Sequence, residues 1–88
     1  MRTIELRFVK HVGKSSRLDY YTIQQRVWGL FGSRWKRLGY YQGSAGGDVW
    51  NEYTGDSKKK LLKMVLKQYF EKPKSQVKII IHPQIKII

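Results

Sequence analysis

The sequence has no cysteine and few acidic residues, six Asp and Glu among 88 positions. Without cysteine the chain can form neither a disulfide scaffold nor a cysteine-ligated zinc site. No apolar run approaches the roughly 20 residues of a transmembrane helix. Charges recur every few residues near the N-terminus, so we expect no secretory signal. These absences predict an intracellular, cytoplasmic protein.

Basic residues are in large excess, since 18 Lys and Arg give a formal net charge of +12. The chain is nevertheless 41% hydrophobic and 14% aromatic, unlike a highly charged disordered segment. Its length predicts one compact domain over residues 1–88. Because self-repulsion disfavours the compact state, we expect a polyanionic partner, a nucleic acid or nucleoprotein, that relieves it.

Three strands are predicted in the first half of the chain. Alternation with period two predicts the first over residues 3–12, with Glu5 and Arg7 opposite the apolar side chains. The same pattern predicts a second strand over residues 19–28 and a third over residues 34–41. Two successive hairpins, a meander, connect these strands most economically.

Residues 57–72 form the clearest predicted element, a helix with one apolar side. Asp56 or Ser57 is suited to cap its first turn, and Pro73 ends it. The apolar side consists of Leu61, Leu62, Val65, Leu66, Tyr69 and Phe70.

Four further segments complete the predicted fold. Residues 43–47 are predicted as a flexible glycine-rich loop, residues 48–53 as a short extra strand, and residues 76–82 as a C-terminal strand that Pro83 ends or leaves at a sheet edge. The apolar tail, residues 84–88, is interpreted as a last strand, a cover for the sheet or a dimer contact. The order β-β-β-(β)-α-β predicts a small α+β domain, an antiparallel sheet with the helix packed on one face.

Aromatic residues are concentrated between residues 20 and 53, which hold nine of the twelve rings. One helix cannot cover so many rings, so some should remain exposed beside cations, where they can stack on bases while the cations bind phosphate. The predicted contact residues of this segment are Gln24, Arg26, Trp28, Arg34, Trp35, Lys36, Arg37 and Tyr40.

Two registers of the second hairpin are considered. A four-residue loop pairs Arg26 with Arg37, and a five-residue loop pairs Arg26 with Lys36. Either register places two cations across from each other, which is destabilising without an anion between them. The five-residue loop is preferred, because it separates Trp35 and the apolar residues from the cations and Gln24, a candidate for base-edge hydrogen bonds.

The predicted helix supplies a second cationic surface. Lys58, Lys59 and Lys60 lie in the first turn, where the macrodipole favours acids, so a bound polyanion would compensate. Lys63 and Lys67 are interpreted as a solvated helix surface. Lys67 also has an i,i+4 partner in Glu71.

We expect no enzymatic activity, cofactor or metal. His11 and His82 could in principle act as an acid/base pair in RNA cleavage, but nothing in their spacing brings them together. Asp48 and Glu52 lie on the same side of a predicted strand, too few ligands for a catalytic metal. No nucleotide-binding glycine loop is present.

The leading hypothesis is a non-enzymatic nucleic-acid-binding domain. Duplex DNA is slightly favoured over RNA because small sheets and two-stranded ribbons enter the major groove; DNA binding would place the protein in the nucleoid or nucleus. The alternative is a small viral or mobile-element inhibitor that docks on an acidic host protein or nucleoprotein, since Trp, Tyr and Arg concentrate binding energy at interfaces. A third hypothesis is an RNA-cleaving toxin. Membrane binding is not expected, and the oligomeric state stays open between monomer and homodimer.

Overall fold

The computed structural model describes residues 2–13, 18–72 and 74–87. Within these ranges the chain is mostly sheet, with one α-helix in the second half. The strands are β1 (Arg2–His11), β2 (Tyr20–Gly29), β3 (Gly32–Arg37), β4 (Gly39–Ser44), β5 (Gly47–Glu52), β6 (Thr54–Gly55), β7 (Val77–Ile81) and β8 (Ile85–Ile87), and the helix α1 is Lys58–Gln68, with a 3-10 turn at Lys74–Gln76.

Six strands form one sheet with the order β3-β2-β1-β7, in which β6 also pairs with β2 and β8 also pairs with β1. The α+β class is therefore as predicted, but the antiparallel sheet is not. Both β7 and β8 run parallel to β1, so the sheet is mixed. The helix explains this direction, because a chain that crosses a sheet face through a helix can return beside the first strand in the same sense.

The core lies between this sheet and α1. Because period-two alternation sends every second side chain of β1 to the same face, Ile4, Leu6 and Phe8 all belong to the buried cluster that also contains the apolar side of the helix. Burying one such side chain completely contributes about 1.5–3 kcal/mol. The buried cluster contains Ile4, Leu6, Phe8, Ile23, Leu38, Tyr53, Leu61, Val65, Leu66, Phe70 and Val77.

The helix is shorter than predicted at both ends. Ser57 is the N-cap residue, but its side chain makes no capping hydrogen bond. At the C-terminus the amide of Lys72 donates to the carbonyl of Leu66 at 3.2 Å, and Glu71 has a φ of 54°. This left-handed residue turns the chain out of the helix. Among the described residues Glu71 forms no ion pair with Lys67, contrary to the prediction, and the predicted stop at Pro73 lies outside them.

Leu38 divides the predicted third strand into β3 and β4. Its side chain is buried in the core, its amide donates to the carbonyl of Ile23 at 3.3 Å, and its own carbonyl accepts from Tyr53 at 3.0 Å. Beyond Leu38 the chain leaves the main sheet, and β4 pairs with β5 in a separate two-stranded sheet. The predicted loop over residues 43–47 is narrower than expected, because only Ala45 and Gly46 lie outside strands.

The apolar tail extends the edge of the main sheet. β7 ends before His82, whose amide donates to the carbonyl of Leu6 at 2.8 Å. Pro83 has no amide hydrogen and falls in the interruption between β7 and β8. β8 then resumes pairing with β1, from Val9 with Ile85 to His11 with Ile87. Residue 88 lies outside the described part of the tail.

Candidate nucleic-acid interface

The β2–β3 hairpin is tighter than either predicted register. Gly29 pairs with Gly32, which leaves Leu30 and Phe31 as the loop. Gly32 has a φ of 116°, a value that glycine adopts readily, and it returns the chain without a longer loop. The four-residue and five-residue loops are therefore both wrong. The observed pairs next along the ladder include Arg26 with Trp35, Gln25 with Lys36 and Gln24 with Arg37.

This register changes which side chains share a face. Each cation of the ladder faces Trp, Gln or Val, so the predicted repulsion between facing cations does not occur. A shift of one residue also transfers every side chain of β3 to the other side. Trp35 therefore lies with Arg26, whereas Arg34 and Lys36 lie on the helix side, where Lys36 Nζ is 3.4 Å from the hydroxyl of Tyr69.

We call the side of the six-stranded sheet that faces away from α1 the open side. Five of the predicted contact residues lie there: Gln24, Arg26, Trp28, Trp35 and Arg37. β1 and β7 add further side chains by the same alternation, namely Glu5, Arg7 and Lys78.

Arg7 lies near the centre of the open side and is held by its neighbours. Its Nε donates to Oε1 of Gln24 at 2.7 Å, and its guanidinium carbon lies 4.4 Å from the ring centroid of Trp35. The same indole makes a T-shaped contact with the ring of His82, with the ring centroids 5.2 Å apart. Because a guanidinium over an indole keeps its charge and part of its hydrogen-bonding edge, this arrangement pre-orients a cation without neutralising it.

The carboxylate of Glu5 contacts three other side chains on this surface. Its carboxylate accepts hydrogen bonds from His82 Nε2 at 2.9 Å and from Trp28 Nε1 at 3.2 Å, and Arg26 approaches it to 3.6 Å. The hydrogen bond from His82, then that from Trp28, holds the pKa of Glu5 below its usual value. The guanidinium of Arg26 lies 4.5 Å from the Trp28 ring, and its Nε donates to Ser33 at 3.0 Å.

The β4–β5 hairpin supplies a ring on which a further cation of the open side stacks. Arg37 lies 5.3 Å from the ring of Trp50, and Trp50 itself lies against Gly39, where a Cβ atom would clash with the indole. Tyr41 pairs with Trp50 and is exposed. Tyr40, a predicted contact residue, points to the other side of β4 and packs 5.1 Å from the core ring of Tyr53.

The predicted lysines of the helix start belong to a different surface. Lys58 Nζ lies 5.6 Å from the ring of Tyr21 on the helix side of the sheet. Lys59 and Lys60 follow on α1 and are exposed. The structure thus separates the predicted site into the open side and a helix-side group.

The candidate acid/base pair is not brought together. His11 stacks on Tyr20 with ring centroids 4.5 Å apart, and its Nε2 shares a 2.9 Å hydrogen bond with Thr22. The amide of His82 donates to the carbonyl of Leu6, so His82 lies beside Arg7. Arg7 is four residues from His11 along β1, a separation of about 13 Å. RNA cleavage stays a prediction that nothing here tests.

Asp48 and Glu52 share one side of β5, as predicted. Among the described residues, no group of three or more His, Asp or Glu could hold a metal ion.

Three side chains on or beside the open side were missed as contact residues: Arg7 and Lys78 in the main sheet, and Trp50 in β5. Arg7 carried a usable signal, because alternation in β1 already placed it opposite the core. Trp50 was counted among the clustered rings but had no predicted partner. Its proximity to Arg37 depends on Leu38 and Gly39, where the chain changes sheets.

No protein family, curated protein or solved structure matches the chain. In the described residues, no helix has the length and apolar character needed to cross a membrane.

Proposed function

We propose that this chain is a non-enzymatic nucleic-acid-binding domain that uses the open side of its sheet and needs no cofactor. One observation carries the proposal. Among the described residues of the main sheet, the open side carries four Lys and Arg side chains and a single carboxylate, and two of the cations lie over indole rings of the same side. The cations are Arg7, Arg26, Arg37 and Lys78, and the carboxylate is Glu5.

The division of labour follows from exposure and from hydrogen-bonding partners. Arg37 is exposed and forms no ion pair with the described residues, so it is suited to bind phosphate. Trp28 is 66% exposed although its indole N–H is bonded to Glu5, so the ring face that Arg26 does not cover is available to a base or sugar. The amide oxygen of Gln24 accepts a hydrogen bond from Arg7, so we assign Gln24 to positioning that cation.

Duplex DNA remains the favoured ligand over RNA. A sheet with a projecting two-stranded ribbon fits the major groove of B-form DNA, whereas the deep and narrow major groove of A-form RNA excludes such an element. A duplex on the open side does not reach Lys58, Lys59 and Lys60, which lie on the helix side. We assign those lysines to general electrostatic attraction.

A salt titration of a DNA duplex tests the proposal. With about six phosphates neutralised, log Kobs should fall against log[salt] with a slope of about −5. Arg37→Ala should reduce the magnitude of this slope by about 0.9, since one phosphate contact is lost. Lys63→Ala on the exposed surface of α1 removes the same charge and is the matched control. Absence of binding at low salt, or equal slopes for the two variants, would contradict the proposal.

The second candidate is an inhibitor that docks on an acidic protein. The exposed rings of Trp28 and Tyr41 favour it, because Trp, Tyr and Arg dominate interface energetics. Retention of a defined protein partner after nuclease treatment, with no binding to purified DNA, would support this candidate over the first.

A further inference from the structure

The β2–β3 hairpin continues past the point where β2 leaves its ladder with β1. That ladder ends at Leu6 and Gln25, whereas β2 stays paired with β3 as far as Gly29 and Gly32. We call residues 26–35 the arm. Its four ladder pairs extend about 13 Å beyond the last β1–β2 pair.

The tip of the arm is apolar and uncovered. Leu30 is 97% exposed and Phe31 fully exposed, and the neighbouring Trp28 is 66% exposed. Scattered apolar residues are normal on a protein surface, but three large exposed ones within residues 28–31 are typical of an interaction site. Because these side chains are exposed, they do not stabilise the core. Because they are apolar, they do not add to the solubility that 18 basic residues provide.

Cations flank the tip on both sides of the arm. Arg26 shares the open side with Trp28, and Arg34 lies on the helix side, opposite Val27 in the ladder. The arm itself contains no acidic residue, and the carboxylate that contacts it is that of Glu5 in β1, 3.6 Å from Arg26. An apolar tip with one guanidinium on each side is complementary to a duplex, in which two lines of phosphate border the apolar stack of bases.

The arm is also rigid enough to insert. The Gly29 and Gly32 pair closes the loop tightly, and Arg26 is fixed by Ser33 at 3.0 Å and by the ring of Trp28 at 4.5 Å. A preorganised element loses less conformational entropy on binding than a flexible loop does.

We propose that Leu30 and Phe31 form a wedge that enters between two base pairs of bound duplex DNA and kinks it, while Arg26 and Arg34 contact the phosphates on either side. The inference rests on the proposed nucleic-acid-binding function and adds to it that the protein deforms its ligand. Apolar wedges of Phe and Leu partly unstack a base step, bend DNA by about 20–90°, and favour the flexible pyrimidine–purine steps.

The test compares a Leu30→Ser/Phe31→Ser double variant with the parent chain on a duplex of about 20 base pairs, labelled at both ends for energy transfer. Both positions are fully exposed, so the fold is expected to be unchanged, and circular dichroism verifies it. Leu18→Ser is the matched control, since Leu18 is 87% exposed and precedes β2 at the other end of the strand.

The parent and Leu18→Ser should shorten the end-to-end distance of the duplex. The double variant should leave it straight and bind about tenfold more weakly. Its salt slope should equal that of the parent, because neither lost side chain neutralises a phosphate. That combination distinguishes a wedge from a phosphate contact.

Three results would overturn the inference. Bending and affinity of the double variant equal to those of Leu18→Ser would exclude the wedge while leaving the nucleic-acid-binding function intact. Unchanged DNA binding with lost binding to phosphatidylserine vesicles would assign the tip to a membrane surface instead. A parent chain that fails to bind DNA at low salt would remove the proposed function together with the wedge.

Discussion

Replacing Gly39 with alanine tests the packing that holds Trp50 and the β4–β5 hairpin beside the open side. A Cβ atom at Gly39 would overlap the carbonyl oxygen of Asn51 and lie 2.5 Å from Cζ2 of Trp50. Non-bonded carbon atoms prefer about 3.5–4.0 Å, so the indole would have to move by about 1 Å. Asn51 cannot yield as easily, because its backbone belongs to the β4–β5 ladder.

The magnitude follows from these two contacts. Overpacking costs about 1–3 kcal/mol where side chains can adjust, and the clash with a backbone oxygen places Gly39→Ala at about 3 kcal/mol. A chain of 88 residues has a free energy of unfolding of about 4–13 kcal/mol. The loss is thus a large share of the total and should lower the melting temperature by about 12–24 °C.

Thermal unfolding followed by circular dichroism measures this effect. Gly46→Ala is the matched control, because no atom lies within 4 Å of a Cβ at Gly46. In a Trp50→Ala background the same change at Gly39 should cost less, since only the Asn51 contact remains, so the two substitutions should not be additive. Melting temperatures of Gly39→Ala and Gly46→Ala that agree within about 2 °C, less than 1 kcal/mol of stability, would refute the reasoning.

Two further predictions concern the end of the helix and the acid on the open side. Glu71→Gly should raise the free energy of unfolding by up to about 1 kcal/mol in a urea titration, because the left-handed φ of 54° costs a residue with a Cβ about that much more than glycine; no gain would show that this conformation is not strained. The lowered pKa of Glu5 means that its contribution to stability is complete above its unfolded-state pKa and is lost as the pH falls through the depressed folded-state value. The chemical shift of the Glu5 carboxyl carbon should titrate below the usual pH range of a glutamate. Protonation of Glu5 should also release the indole of Trp28, and the fluorescence change that accompanies this release should disappear in Glu5→Gln but persist in Glu52→Gln. Titration of Glu5 in its ordinary range would contradict the observed hydrogen bonds from His82 and Trp28.

Local patterns determined the first two strands, the helix and the faces that these elements bury. Alternation in β1 placed Ile4, Leu6 and Phe8 on the buried side, and helical spacing placed Leu61, Val65 and Leu66 there. These signals are local, because the side-chain period of a strand or helix does not depend on what it packs against. The same local information indicated that cations and rings would share the surface of the second hairpin.

The register of that hairpin was not accessible in this way. Loops of four or five residues were reasonable for Leu30-Phe31-Gly32-Ser33, but the positive φ of Gly32 permits a tighter loop of two residues. A shift of one residue reversed the faces of β3 and moved Trp35 onto the same side as Arg26. The length of the loop closed by Gly32 thus decided which predicted residues meet.

The charge of +12 and the clustering of rings near basic residues were fixed by composition and order along the chain, and they are sufficient to predict a polyanionic partner. The sequence also determined where the first two strands and the helix lie, apart from their exact ends, because those depend on local periodicity. Only the tertiary structure decided that Glu5 meets His82, 77 positions away, and that Arg7 lies over Trp35. The first contact requires β7 to return parallel to β1, and the second requires the two-residue loop of the β2–β3 hairpin. Both depend on packing across the whole domain rather than on any local pattern.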